Sequence, residues 1–409
     1  MTIICWGNLA KAANDTLRIE QAMQGYIEGH DENPNAHMGP DYALGAHRLQ
    51  IELDHLPYSV LNKFLYPQSR TYKAVVDPAG FGDVTTIQGA IDYVHSIGGG
   101  AIYIKAGTYH IGADITLYSN IILEGEDMDT TILDFDDTTY HISGVGESLS
   151  HLRNIEFHKL QIKDCNNSDG GIIGLTYCDD VTIDSIKVYS CHDPVESLAI
   201  PVKLNNCNRI NVTNNYISTN DVFLHSFDSQ RLKVEYNYIY HCQGYLFYLY
   251  KTPNCIIRHN YFESNGLDWG ESLIYFSDAC NNLVIDSNQF LLCGTMVIWN
   301  EYSGSITISN NVITPSGTVS DAIALNDIDK SVLVGNKISG FNNNGIYLGD
   351  NCDKNTVVGN VVVNNGDYGV VIAAATCSKN VVVGNCLTGN TDGAVNDLGT
   401  DSVVANNAT

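Results

Sequence analysis

Residues 255–262 read CIIRHNYF, residues 283–290 LVIDSNQF and residues 306–313 ITISNNVI. Each has two apolar residues spaced by two, then an asparagine, one further residue and another apolar one. The unit recurs as INVTNNYI (210–217), LKVEYNYI (232–239), VLVGNKI (332–338), TVVGNVV (356–362) and VVVGNCL (381–387). Its asparagines are Asn215, Asn237, Asn260, Asn288, Asn311, Asn336, Asn360 and Asn385, in steps of 22, 23, 28, 23, 25, 24 and 25 residues. Two earlier copies, IEFHKLQI (155–162) and VTIDSIKV (181–188), carry Leu160 and Ile186 in the asparagine slot. Period-two apolar alternation broken by Gly, Asn, Asp and Ser marks short strands joined by turns, and the segments are too short for helices. Leucine-rich repeats have a similar period but need several leucines per unit, whereas Val, Ile, Phe and Tyr prevail here. The pattern therefore predicts an all-β, single-stranded parallel β-helix, in which equivalent residues of successive turns stack about 4.8 Å apart into ladders.

On that grid, the position three before the slot (Phe157, Ile183, Val212, Val234, Ile257, Ile285 and onward) and the position two after it (Ile162, Val188, Ile217, Ile239, Phe262, Phe290 and onward) are core. The asparagines should form their own ladder at a turn, each amide bonding its neighbour or the turn backbone. Of the twelve cysteines, Cys178, Cys207, Cys280, Cys352 and Cys377 lie eight residues before the slot, where other turns have Ser229, Thr252 and Ser303. Cys165, Cys191, Cys242 and Cys293 lie five after it. Such coincidence predicts small packed thiols rather than disulfides or metal ligands.

Ahead of the repeats, residues 77–111 read DPAGFGDVTTIQGAIDYVHSIGGGAIYIKAGTYHI. Thr85 with Gln88 forms an expected capping box, Ile87, Ile91 and Val94 share one helical face, and Gly98–Gly100 stop the helix before a strand. This stretch, with the repeats, resembles pectate-lyase-like right-handed β-helix proteins. The resemblance implies a capping helix at about 85–97 that plugs the solenoid, repeats over about 150–407, and a β-helix domain spanning 71–409. Lyases, hydrolases, epimerases and bacteriophage tailspikes share that fold, so it specifies architecture better than chemistry. His192–Pro194 reads HDP, the wrong order for the D-P-H signature of alginate epimerases, and that role is not carried over.

Residues 1–70 differ in kind. Ile19, Ala22, Met23, Tyr26 and Ile27 form one stripe of an expected helix, followed by a polar link and a second helical pattern ending at Pro67. The stretch HDENPNAHMGP resembles the segment that precedes variable domains in bacteriophage tail proteins. It implies an attachment and oligomerisation arm that mounts on a phage tail or baseplate protein, with a homotrimer as the simplest way to bury the stripe. His30, His37, His47 and His55 read as caps and surface residues, and no metal or other cofactor is expected.

Composition narrows the partners. The 409 residues carry 21 lysines and arginines against 46 acids, a net charge of −25, which disfavours nucleic acid and anionic membranes. No stretch approaches the roughly 20 apolar residues of a membrane helix, and the start, MTIICWGNLA, has no secretory-signal pattern.

The candidate site follows from repeat length. The steps of 29 residues (Ile186 to Asn215) and 28 (Asn260 to Asn288) hold insertions, SCHDPVESLAI (190–200) and ESNGLDWGES (263–272), on either side of two short turns. The expectation is two walls flanking a trough floored by residues 222–228 and 245–251. One strand register buries Val202, Leu224, Phe247, Tyr275 and Ile298, exposing Lys203, His225, Tyr248, Phe276 and Trp299 in one ladder and Asn205, Phe227, Tyr250, Asp278 and Glu301 in the next. The opposite register puts these rings in the core. In the first register, aromatic rings beside carboxylates suit a sugar chain, with Tyr248, Tyr250, Trp299 and Trp269 of the second wall as stacking candidates beside His225 and Lys251. Asp278 and Glu301 on adjacent turns are candidate glycosidase acid and base, with Asp228 third and Asp193, Glu196, Asp268 and Glu271 on the walls. A lyase would draw instead on His225, Tyr250 and Lys251. The expected function is that of a virion tailspike or tail fibre, made in a host cytoplasm, that binds a neutral host surface polysaccharide, with its cleavage left open and hydrolysis preferred to a lyase reaction if it is cleaved. A non-enzymatic adhesive tail component and a free microbial lyase or hydrolase are the alternatives.

Overall fold

The computed structural model describes residues 71–165, 171–189, 200–218, 222–242, 244–265 and 272–409. Among them, short strands return to the same three faces turn after turn, building parallel sheets of 14, 12 and 11 strands. The repeat segments containing the slot contribute the strands on either side of it. Tyr261–Glu263, for example, pairs in register with Tyr238–Tyr240 and Gln289–Cys293 in the 11-stranded sheet. Val212, Val234, Ile257, Ile285 and Ile308 stack in the 14-stranded sheet and are all fully buried, as the grid requires. One hydrophobic cluster runs the length of the solenoid, from Ala74 to Leu387.

The slot asparagines are a continuous hydrogen-bonded chain. Asn215 Nδ2 donates to Asn237 Oδ1 at 2.9 Å, Asn237 to Asn260 at 2.9 Å, Asn260 to Asn288 at 3.0 Å, and so on through Asn385 to Asn407. Each Nδ2 also bonds a carbonyl of the preceding turn, as Asn288 does to Ile257 O at 2.9 Å. Every buried amide is thus satisfied by its neighbours above and below, which makes register slippage costly. A second asparagine column lies five residues past the slot. There Asn265 accepts from the Cys242 N–H, and Asn365 Nδ2 donates to Asn390 Oδ1.

The cysteines occupy turn positions as small buried thiols. Cys178 Sγ donates to Gly144 O, Cys207 to Leu175 O, Cys280 to Leu249 O and Cys352 to Leu325 O at 3.2 to 3.4 Å. All ten described cysteines are free, and nine of them are buried. Burial pushes the Cys280 thiol up to about 11.

The described residues contain one helix, α1 (Ile87–Ser96), whose buried Ile87, Ala90, Ile91 and Val94 join the solenoid's core. Its N-cap is Thr86, not Thr85. The Thr86 hydroxyl accepts from the Gly89 N–H at 3.2 Å. Gln88 does not close a box but reaches across to Thr116, accepting its N–H at 2.8 Å and donating to its carbonyl at 3.2 Å. With the Gln88 amide held by the strand, the cap falls to Thr86, whose backbone is extended (φ −122°, ψ 146°). The expected arm of residues 1–70 and its histidines lie outside the described residues.

Candidate functional site

The residues expected to floor the trough lie on the outward face of the 12-stranded sheet, where Val202–Asn205, Leu224–Phe227, Phe247–Tyr250, Ser272–Ser277 and Met296–Glu301 stack. Four of the five turns take the register expected from the sequence. Val202, Leu224, Phe247 and Ile298 point inward, while Lys203, His225, Tyr248 and Trp299 point outward.

The fifth is off by one. Tyr248 lies opposite Tyr275 and Leu249 opposite Phe276, so Tyr275 faces outward and Phe276 is 0% exposed. Ser277, not Asp278, lies opposite both Tyr250 and Glu301. The cause is an extra residue in the turn: Asp278 (φ 49°) and Ala279 (φ 63°) are both left-handed, where neighbouring turns have one such residue, Lys251 or Tyr302. Counting back from Asn288 crosses that insertion and displaces every residue before it. The proposed Asp278–Glu301 ladder pair therefore does not exist. Three residues separate Phe276 from Cys280, where two separate Leu204 from Cys207 and Leu249 from Thr252, and that is the sequence signal that could have revealed it.

Corrected, the outward ladder is Lys203, His225, Tyr248, Tyr275 and Trp299. Ring centroids are 5.0 Å apart for His225–Tyr248, 5.0 Å for Tyr248–Tyr275 and 5.3 Å for Tyr275–Trp299, with interplanar angles of 46°, 36° and 60°. Tyr245, absent from the expected site, leans on two of them at 5.7 and 6.0 Å. These tilts matter. On the 11-stranded sheet Tyr216, Tyr238 and Tyr261 stack within 8° of parallel at 5.1 to 5.2 Å, so neighbouring faces are turned towards one another. The tilted spine leaves parts of its faces unshared, as a stacking platform needs.

Beside the spine runs the ladder Asn205, Phe227, Tyr250, Ser277 and Glu301, and then the turn that carries Asp228, Lys251 and Asp278 on three consecutive turns, with φ of 47°, 49° and 49°. Lys251 Nζ sits 4.8 Å from the Tyr250 ring centroid. The Tyr250 hydroxyl first, then the Asp228 and Asp278 carboxylates, hold the Lys251 ammonium above its ordinary range. Tyr275 Oη donates to Glu301 Oε2 at 3.3 Å, and burial, with the Glu301 charge beside it, raises that phenol. His225 Nε2 is buried without a hydrogen-bond partner. Burial first, and Lys203 second, push the imidazole down to about 4, so it is neutral near pH 7. The expected wall residues Asp193, Glu196, Asp268, Trp269 and Glu271 lie outside the described residues.

One described group has metal-ligand proximity: His110, Asp134 and Asp136, whose ligand atoms lie within 4.8 Å of one another. Lys163 Nζ stands 2.6 Å from Asp134 Oδ2 and His110 Nδ1 3.0 Å from Asp136 Oδ2, so each carboxylate already has a partner.

Residues 153–313 match the family model described as "Right handed beta helix region", and residues 262–407 match that of "Periplasmic copper-binding protein (NosD)". No curated protein sequence matches the chain. Among solved structures, the chain is similar to the A-module of a mannuronan C-5 epimerase of Azotobacter vinelandii, at 18% identity over 79% of this chain and 93% of that one, with a TM-score of 0.56. It is also similar to a periplasmic alginate epimerase (14%, 76% and 77%, 0.54) and to a tailspike protein mutant of E. coli bacteriophage HK620 in complex with pentasaccharide (14%, 77% and 66%, 0.53). At these identities the shared feature is the fold, a right-handed parallel β-helix. The second family's copper finds no suitable ligand set here: residues 262–407 contain no histidine and one methionine, Met296. Of their described thiols, Cys280, Cys293, Cys352 and Cys377 are buried on separate turns, and Cys386 is the one that is not buried.

Proposed function

We propose that this β-helix binds an extended polysaccharide along the outward face of its 12-stranded sheet, parallel to the solenoid axis. The observation that carries the reading is the tilted aromatic spine from His225 to Trp299, with ring faces partly unshared over four consecutive turns. Sugar rings offer apolar faces to such platforms and hydroxyls to flanking amides and carboxylates, here Asn205, Asp228, Asp278 and Glu301. Binding is the reading carried forward because the ring ladder needs no catalytic pair and Ser277, rather than Asp278, stands opposite Glu301. The test is paired. Affinity for surface glycans is measured on the intact protein, and the same mixtures are assayed for new reducing ends and for unsaturated sugars. Retention without products supports the adhesive reading. Products place the protein among hydrolases or lyases, with Asp228, Glu301, His225, Tyr250 and Lys251 the first residues to replace. No retention of any glycan refutes the trough.

A second reading places that adhesive on a virion tail. It is supported by the HDENPNAHMGP stretch and by likeness to a tailspike fold. In it, residues 1–70 mount the protein on a tail or baseplate partner and join three copies. If deletion of residues 1–70 leaves the particle mass by light scattering unchanged, that arm is not the oligomer's seam.

A further inference from the structure

The charges on this face are few and of mixed sign, and this bears on what sort of chain it can hold. Lys251 is flanked along the turn by Asp228 on one side and Asp278 on the other, at successive turns of the solenoid, and lies over the Tyr250 ring. Its ammonium therefore lies between two carboxylate-bearing positions before any ligand arrives. None of the five floor strands carries an arginine, the residue whose planar fork recognises carboxylate and sulfate groups best. Over the described floor and turn, two cations, Lys203 and Lys251, face three carboxylates, Asp228, Asp278 and Glu301, a balance of 2 − 3 = −1. The rest of the chain repels anions as well, at a net −25. Stacking on Tyr248, Tyr275 and Trp299, by contrast, asks for no charge on the sugar.

We infer that the trough takes an uncharged polysaccharide and turns away polyuronates and sulfated chains. This rests on the binding reading given above, and it parts company with the uronate-acting epimerases of similar fold.

The experiment uses the intact protein on an array of neutral, uronate-rich and sulfated glycans, read at low and high salt. Expected are retention by at least one neutral glycan, little changed by salt, and polyuronate retention at least about tenfold weaker. The double variant Asp228→Asn with Asp278→Asn releases Lys251 and should strengthen polyuronate binding by roughly two- to fivefold for each carboxylate removed, an effect that salt abolishes. Lys251→Met in the same background should take that gain away. Tighter binding of polyuronate than of every neutral glycan by the unmodified protein, weakening as salt rises, overturns the neutral assignment and leaves the trough standing. Absence of binding to any class overturns both.

Discussion

Ser277 lies directly opposite Glu301, and Asp278 stands one residue further on, in the turn. That single offset takes Asp278 out of the ladder position in which a regular repeat would have stacked its backbone about 4.8 Å from that of Glu301. It also brings Tyr275 to the surface and completes the ring spine.

Replacing Trp299 or Tyr248 by alanine should weaken glycan binding by roughly 1 to 3 kcal/mol with little loss of stability, because both rings face outward. Phe247→Ala is the contrast. That ring is 0% exposed, and its loss should cost about 3 to 5 kcal/mol of folding stability by denaturant titration.

Asp278→Asn and Glu301→Gln keep shape and remove charge. In an adhesive, neither change should move glycan affinity by more than about 1 kcal/mol. If the unmodified protein releases products, loss of turnover in Glu301→Gln with Asp278→Asn unaffected would show that the two do not act as a pair.

Asn288→Ala removes a fully buried amide that donates to Asn311 Oδ1 and Ile257 O and accepts from Asn260 N and Nδ2. Its partners are left without bonds on both sides of the gap, so a destabilisation of roughly 2 to 4 kcal/mol is expected. Hydrogen exchange should show the loss concentrated on the adjoining turns, since each turn of a solenoid contacts only its neighbours.

His225 gives the protein an acid-sensitive term. Its folded-state value, about 4, lies below the ordinary 6.5, so between these values the unfolded chain binds more protons than the folded one. The contribution is fully present above about pH 6.5 and is lost as pH falls toward 4, on the order of 2 to 3 kcal/mol in all. Stability measured across this window should fall less steeply for His225→Gln than for the unmodified protein. Equal slopes would show that the imidazole is solvated.

Thiol titration of the denatured, unreduced protein should return most of the twelve cysteines. In the native protein, Cys386, the one described thiol that is not buried, should react well before the other nine.

The repeat arithmetic was enough for the solenoid, the asparagine chain and the thiol columns. Those features depend on one residue type returning to one position, and a ladder in which each amide bonds its own copy can be read as spacing. The same arithmetic failed between Ser277 and Cys280, because an extra left-handed residue in a turn alters register without disturbing the apolar pattern, and Tyr275 and Phe276 are each plausible on either face. The helix start was misplaced for a similar reason: Thr85 and Thr86 are equivalent as caps until the partner of Gln88 is known. Sequence thus determined which residues repeat. Only the tertiary structure decided which ring faces are tilted apart, which carboxylate-bearing positions flank Lys251 and which serine stands opposite Glu301, because those relationships join residues about 25 positions apart through backbone geometry that spacing alone does not encode.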